Sequence, residues 1–177
     1  PTPITRNIKI ASATASNGLA DFTWSNLAGM TFDGTNLQAA LNKNSPSAVT
    51  SDGYGQARVE FIRGDDNCGG HTGCSTFRKR SNNKLGDIVN SSPVLVKGAQ
   101  YLAYRAGTVD GTVASYTSFQ NSVANRTPII YVGANDGMLH AFNANTGVEV
   151  FAFIPTAVIE NLNKLTSKTY GTSTGGH

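Results

Sequence analysis

The sequence has little charge, a modest apolar content and no long hydrophobic run. Charged residues make up 14% and apolar residues 39% of its 177 positions, against averages of about 25% and about 45–50% in soluble domains. Ser, Thr, Asn and Gly fill the difference, and this mixture suits turn-rich β-structure and an extracellular surface better than a helical cytosolic enzyme. No apolar run approaches the roughly 18 residues that a membrane-spanning helix needs, so we expect no membrane span.

The N-terminus also lacks targeting features. The chain starts at Pro1 without an initiating Met, a positively charged leader or an apolar stretch, which predicts an export signal that has been removed or lies upstream of a fragment. The net charge of +3 is too small to indicate nucleic acid, because recognition of a phosphate backbone needs Lys and Arg clustered on one face. The length allows one domain with a core and a small second one.

Short apolar runs bounded by turn residues dominate the second half of the chain. Four of these runs predict strands near 93–97, 129–134, 138–143 and 148–154. The turn residues Asn, Asp and Gly separate the last three of the four runs. Gly137 and Gly147 can take the positive φ that closes a tight turn. The predicted fold class is mainly β: an antiparallel four-stranded sheet like the blade of a β-propeller, with short helices.

A single blade cannot bury both faces of its sheet, and the sequence has no second copy of this pattern. We therefore expect a segment of a larger β-propeller, or faces covered by another chain. Residues 98–127 are predicted to be a hairpin or long insertion that projects from the blade. Thr156 is a candidate cap for a helix after the last strand, and we expect a disordered tail over 171–177.

Residues 1–55 form a less regular, β-rich segment of uncertain role. Apolar residues alternate around positions 8–10 and 22–24, which predicts two short strands. A short helix over 37–41 is predicted, with Thr35 or Asn36 as its cap. The polar loop that ends near residue 55 is a candidate boundary with the blade region, which we place at 56–170.

Cys68 and Cys74 enclose a short, Gly-rich stretch. In an exported protein, two cysteines so close favour a disulfide, which would stabilise the fold by roughly 2 kcal/mol in the chain-entropy model. The alternatives are free thiols and a metal site that includes His71. A structural zinc site needs four ligands, however, and the other histidines are His140 and His177. We predict that His140 is a strand residue facing a neighbour.

Six of the fourteen basic residues lie between Arg58 and Lys84. The favoured interpretation is a solvated edge balanced by nearby carboxylates, and the alternative is an anion-binding patch. The same stretch contains Arg63-Gly64-Asp65, a candidate adhesion motif. A tripeptide recurs by chance, so the alternative is a structural turn with paired charges.

An ordered set of short motifs resembles one protein family. The motifs are FIRGD at 61–65, FRKR at 77–80, LGDIVNSSP at 85–93, YVGANDGMLHAF at 131–142 and FAFIP at 151–155. Each is weak alone, but in this order they resemble the PilY/PilC-type proteins of type IV pili over roughly residues 59–170. The resemblance corresponds to the start of the C-terminal β-propeller of that family.

The resemblance implies an exported, cell-surface protein at the pilus tip or outer membrane that promotes pilus assembly by opposing retraction and adheres to surfaces. Its implied partners are minor pilins or the pilus shaft, and a receptor on a host or abiotic surface. Some members are linked to integrin binding through an Arg-Gly-Asp, which Arg63, Gly64 and Asp65 match. Members also bind calcium through an Asp-rich loop. No such loop occurs here, so we assign no metal or cofactor to this segment and expect calcium only elsewhere in a full-length protein.

Two other classes of function compete with this interpretation. The stretch Ala141–Phe151 also has the spacing of a blade signature in quinoprotein dehydrogenases, which need a full ring of blades, a quinone and a metal. We find no catalytic constellation in the sequence and predict a non-enzymatic protein. The other alternative is a structural subunit that self-associates through open β-edges.

Overall fold

The computed structural model describes residues 5–80, 84–99 and 113–172. Its strands are β1 (Ile8–Ala11), β2 (Leu19–Asp21), β3 (Thr31–Phe32), β4 (Thr35–Asn36), β5 (Val94–Val96), β6 (Ile129–Gly133), β7 (Leu139–Asn143) and β8 (Glu149–Ile154). Its α-helices are α1 (Leu37–Leu41), α2 (Gly55–Ile62), α3 (Val113–Ser122) and α4 (Thr156–Ile159). Short 3-10 helices lie at Ser25–Leu27, Cys68–Gly70, Cys74–Thr76 and Leu162–Thr166.

The predicted meander is present, and β5, β6, β7 and β8 pair antiparallel in sequence order. The turns between the last three strands contain Gly137 at φ 82° and Gly147 at φ 71°, the region that glycine enters without steric cost. A register shift between Ala141 and Phe142 marks a β-bulge in the pairing of β7 with β8. The glycine turns therefore account for the connections between β6, β7 and β8.

The sheet has six strands, in the order β2-β1-β8-β7-β6-β5, so the expectation of a four-stranded sheet was wrong. The N-terminal segment supplies the two additional strands. β1 pairs parallel with β8, with Ile8 opposite Ala152 and Ile10 opposite Ile154. A parallel pair between the two ends of a chain leaves no local pattern in the sequence, because its strands are joined by a long connection and not by a tight turn.

One hydrophobic core joins the N-terminal segment to the blade. Ile8 and Ile10 are fully buried, together with Ala152 and Ile154 from β8. The remaining fully buried or nearly buried members come from the helices and loops packed on the same sheet face: Phe22, Leu27, Leu37, Leu41, Val59, Ile62, Met138, Ile159, Leu162 and Leu165. The candidate boundary near residue 55 therefore does not separate two cores.

Helix α1 begins where the sequence predicted it. The Asn36 side chain accepts a hydrogen bond from the Ala39 N–H at 2.9 Å, which satisfies one of the donors that a helix leaves free at its N-terminus. Its buried face, Leu37, Ala40 and Leu41, packs into the core. The cap thus fixes where this short helix begins, and its apolar residues determine which face is buried.

The described part of the long insertion contains one helix. Helix α3 lies within 98–127, where a hairpin or long insertion was predicted, and residues 100–112 lie outside the described residues. The C-terminal helix α4 begins at Thr156, but Pro155 occupies the N-cap position and no side chain caps the helix. Most of the predicted tail, 173–177, also lies outside the described residues.

The face of the sheet opposite the core is partly open. Val94, Tyr131, Ala141 and Phe151 lie side by side on neighbouring strands, and the rings of Tyr131 and Phe151 pack edge to face at 6.1 Å. Val94 is 57% exposed. An accessible apolar face is what a single blade leaves when only one side of its sheet is covered.

We predict that Ile10→Ala lowers the free energy of unfolding by about 2–5 kcal/mol, because it opens a cavity in a fully packed core. Urea denaturation measures the change, and Val49→Ala is the control because Val49 is 93% exposed. The control should change stability by less than about 0.5 kcal/mol. An Ile10→Ala variant as stable as the control would show that β1 does not belong to the core.

Candidate functional site

A chain of buried charges connects the N-terminal segment to the blade. Arg6 precedes β1 and donates from Nε to Glu149 Oε2 at 2.7 Å and from Nη2 to Glu149 Oε1 at 2.8 Å. On the other side of Glu149, His140 Nδ1 lies 2.7 Å from Oε1. His140 Nε2 lies 3.1 Å from each carboxylate oxygen of Asp136. We call these four residues the Arg6–Asp136 cluster.

The contacts within the Arg6–Asp136 cluster shift the pKa values of His140 and Glu149. Burial would lower the pKa of His140, but hydrogen bonds and charge from Asp136 and Glu149 outweigh burial and raise this pKa from 6.5 to about 9. Burial would raise the pKa of Glu149, but His140 and Arg6 outweigh it and lower this pKa from 4.5 to about 2. At neutral pH an imidazolium and a guanidinium thus face two carboxylates.

The cluster also forms hydrogen bonds with backbone groups nearby. Asp136 also accepts hydrogen bonds from the backbone N–H groups of Gly86 at 3.0 Å and Met138 at 3.2 Å. A cavity of about 210 Å³ borders Arg6, His140 and Glu149. In the described part of the chain, no three His, Cys, Asp or Glu side chains are grouped to hold a metal ion. The geometry therefore favours a structural role for the cluster.

Sequence reasoning placed His140 in a strand but missed both of its partners. The signal that could have found them is Glu149, a carboxylate at the start of an otherwise apolar strand. A charged residue in such a position needs a buried partner. Its partner Arg6 lies in the segment to which no role was assigned.

The two cysteines form the predicted disulfide, with an S–S distance of 2.07 Å. The enclosed loop lies against a second, smaller core. Cys68 is buried in it with Ala57, Phe61 and Phe77, and Tyr54 packs at its border. The disulfide thus anchors an otherwise irregular loop to helix α2.

The Arg-Gly-Asp motif begins with a buried arginine. Arg63 is 8% exposed and donates to the carbonyl oxygens of Phe22 at 3.1 Å and Arg6 at 3.3 Å. Asp65 accepts hydrogen bonds from the N–H groups of Asn67 and Gly69 at 2.9 and 2.8 Å. These contacts favour the structural alternative, and adhesion through the motif stays a prediction.

The expectation of a solvated basic edge was wrong for three of its arginines. Arg58, Arg63 and Arg80 are 2%, 8% and 9% exposed. Arg58 pairs with Asp52 and donates to Leu41 O at 2.8 Å. Arginine can be buried in this way because its guanidinium is weakly hydrated, stacks on aromatic rings and offers five donors. A count of charges along the sequence does not contain this information.

The antiparallel meander and its turns are those of a β-propeller blade. The family model of the PilY1 beta-propeller domain matches residues 85–176, and the chain belongs to this family. In the described residues, no helix combines the length and apolar character needed to cross a bilayer.

Three relatives agree with this assignment. Type IV pilus biogenesis factor PilY1 of Pseudomonas aeruginosa strain UCBPP-PA14 is 49% identical over 168 residues, which are 95% of this chain and 13% of that protein. The protein of the same name from strain PAK is 43% identical over 93% of this chain and 13% of its own length. A PilY1 homolog from Xylella fastidiosa strain Temecula1 is 41% identical over 77% of this chain and 11% of its own length.

The chain therefore spans about 13% of the length of the P. aeruginosa relatives. No solved structure matches the chain.

We predict that these two groups make stability greatest between pH 4.5 and pH 6.5. The contribution of His140, whose pKa is raised, is complete below pH 6.5 and is lost as pH rises through about 9. The contribution of Glu149, whose pKa is lowered, is complete above pH 4.5 and is lost as pH falls to about 2. Urea denaturation at a series of pH values measures both limbs.

His140→Asn should flatten the alkaline limb, and His71→Gln, which changes a histidine outside the cluster, should leave it intact. An unchanged alkaline slope in His140→Asn would contradict the assignment.

Proposed function

We propose that this chain is an extracellular, non-enzymatic part of a type IV pilus protein that acts in pilus assembly and in adhesion at the pilus tip. The observation that carries the proposal is the 49% identity, over 95% of the chain, to a protein named type IV pilus biogenesis factor. The location that follows is the cell surface or the outside of the cell, at the pilus tip or outer membrane.

The disulfide supports an exported location. Disulfides persist in oxidising compartments and are rare in the cytosol, and the Cys68–Cys74 bridge closes a loop that is exposed at Gly69, Gly70 and Thr72. A disulfide-closed, partly exposed loop on a packed scaffold is a common arrangement for a recognition surface. We therefore propose this loop as the contact surface for a minor pilin, the pilus shaft or a surface receptor.

The charged residues support a non-enzymatic role. The side chains with the largest pKa shifts among the carboxyl and imidazole groups, His140 and Glu149, bond to each other and to Arg6 and Asp136. Their protonation states stabilise the contact between the N-terminal segment and the blade. A quinoprotein activity gains no support from these contacts, and calcium stays a prediction for the remainder of a full-length protein.

The proposal is tested by deleting the full-length gene in the bacterium that carries it and restoring the wild-type gene. Deletion should lower the amount of pilin sheared from the cell surface relative to total cellular pilin, and should lower attachment to a surface. The restored gene should recover both. Unchanged surface pilin after deletion would contradict a role in assembly.

The same strain tests the Arg-Gly-Asp motif. A gene with Asp65→Glu keeps the negative charge but lengthens the side chain that an adhesive Arg-Gly-Asp presents to its receptor. Because the contacts of Arg63 favour a structural role, we expect attachment equal to that of wild type. Loss of attachment to integrin-bearing cells with normal surface pilin would instead assign adhesion to Arg63, Gly64 and Asp65.

A further inference from the structure

Two cavities meet on the surface between the disulfide loop and the C-terminal 3-10 helix. One has a volume of about 220 Å³ and is bordered by Arg78, Lys79, Arg80, Lys84 and Tyr170. The other has a volume of about 480 Å³ and extends past Phe77 and the disulfide. Arg78 and Lys79 border both cavities. We call the region around Arg78, Lys79, Arg80 and Lys84 the basic cleft.

The carboxylates beside the basic cleft do not balance its cations. Asp66 alone pairs with two of them, Arg80 at 3.5 Å and Lys84. In the described part of the chain, neither Arg78 nor Lys79 has a carboxylate within ion-pair distance. Asp87 and Asp136 also border the smaller cavity, but Asp136 is bonded to His140. The cleft therefore has an excess of positive charge.

Arg80 has a buried donor without a hydrogen bond. The Arg80 side chain is 5% exposed, and its guanidinium lies 3.9 Å above the ring of Phe61. Its Nε makes no hydrogen bond among the described residues, and the Oδ1 atom of Asp66 lies 3.5 Å from it. A buried donor without a hydrogen bond costs free energy, which the distant Asp66 carboxylate offsets only in part. An acceptor atom placed in the cavity would lower this cost further.

Arg78 is held in place by contacts that leave donors available. Its Nε donates to Leu165 O at 2.6 Å, and its guanidinium lies 4.6 Å from the ring centre of Tyr170. The terminal nitrogens of Arg78 have no acceptor in the described part of the chain. Lys79 beside it is exposed. A guanidinium held by one hydrogen bond and by the rings of Tyr170 and Phe61 loses little freedom when it binds an anion.

We propose that the basic cleft binds an oxyanion group, a phosphate or a carboxylate, through Arg78, Lys79 and Arg80. Guanidinium groups bond such anions with paired donors, and a nearby ammonium adds charge. The 220 Å³ cavity holds the anionic group, and the adjoining 480 Å³ cavity leaves room for the molecule that bears it. This inference stands apart from the proposed role in pilus assembly and does not depend on it.

The site is tested by titrating the full chain with sodium phosphate, and separately with sodium glucuronate, at constant ionic strength. Isothermal calorimetry and the NMR shifts of the cleft amides measure binding. We expect saturable binding of at least one anion. Lys79→Ala and Arg78→Gln should each weaken it about tenfold, the effect of losing one charge-assisted hydrogen bond. Lys43→Ala removes a lysine that borders neither cavity and should leave the affinity unchanged.

The two anions distinguish the geometry of the ligand. Binding of phosphate alone supports a tetrahedral oxyanion, and binding of glucuronate supports a carboxylate on a sugar-sized body. Because Arg78 also bonds to Leu165, its variant is checked by circular dichroism, and the exposed Lys79 decides the outcome if Arg78→Gln unfolds. Shifts that never saturate, or equal affinity in wild type and Lys79→Ala, would overturn the proposal.

Discussion

The burial of Arg6 against Glu149 is the constraint on which the rest of the structure depends. Both side chains are under 10% exposed, and a buried charge that loses its partner costs several kcal/mol. Arg6 must therefore lie beside β8, and this places β1 in register for its parallel pairing with that strand. His140 and Asp136 continue the same chain of charges into the turn between β6 and β7. One polar network thus joins the N-terminal segment to β8, to β7 and to the turn before β7.

The positions of the surface loops depend on this polar network. Arg63 bonds to the carbonyl oxygens of Arg6 and Phe22, so the loop after helix α2 takes its position from the N-terminal segment. That loop leads into the disulfide and then into Arg78 and Arg80, which pack on Phe61. The family model begins only at residue 85, but the core beneath it contains Ile8, Ile10 and Phe22. The segment before residue 85 is therefore structurally part of the same unit.

What the sequence predicted well was local. The strands of the meander, the glycine turns, the Asn36 cap and the Cys68–Cys74 bridge each depend on residues close together in the chain, and all were found. The β1–β8 pair and the partners of His140 were not, because they join residues far apart in sequence. The prediction of a solvated basic edge was wrong for another reason. The burial of Arg58 and Arg80 depends on the rings of Phe77 and Phe61, which a charge pattern does not reveal.

The most direct test of this account is amide hydrogen exchange across β1 and β8 in the full chain. If β1 is an integral strand, the amides of Ile10 and Ile154 exchange with similar protection factors, because both open only when the shared sheet unfolds. Arg6→Ala should lower the protection of both strands together. Fast exchange throughout β1 beside a fully protected β8 would show that the N-terminal segment is only loosely attached, and would contradict the account.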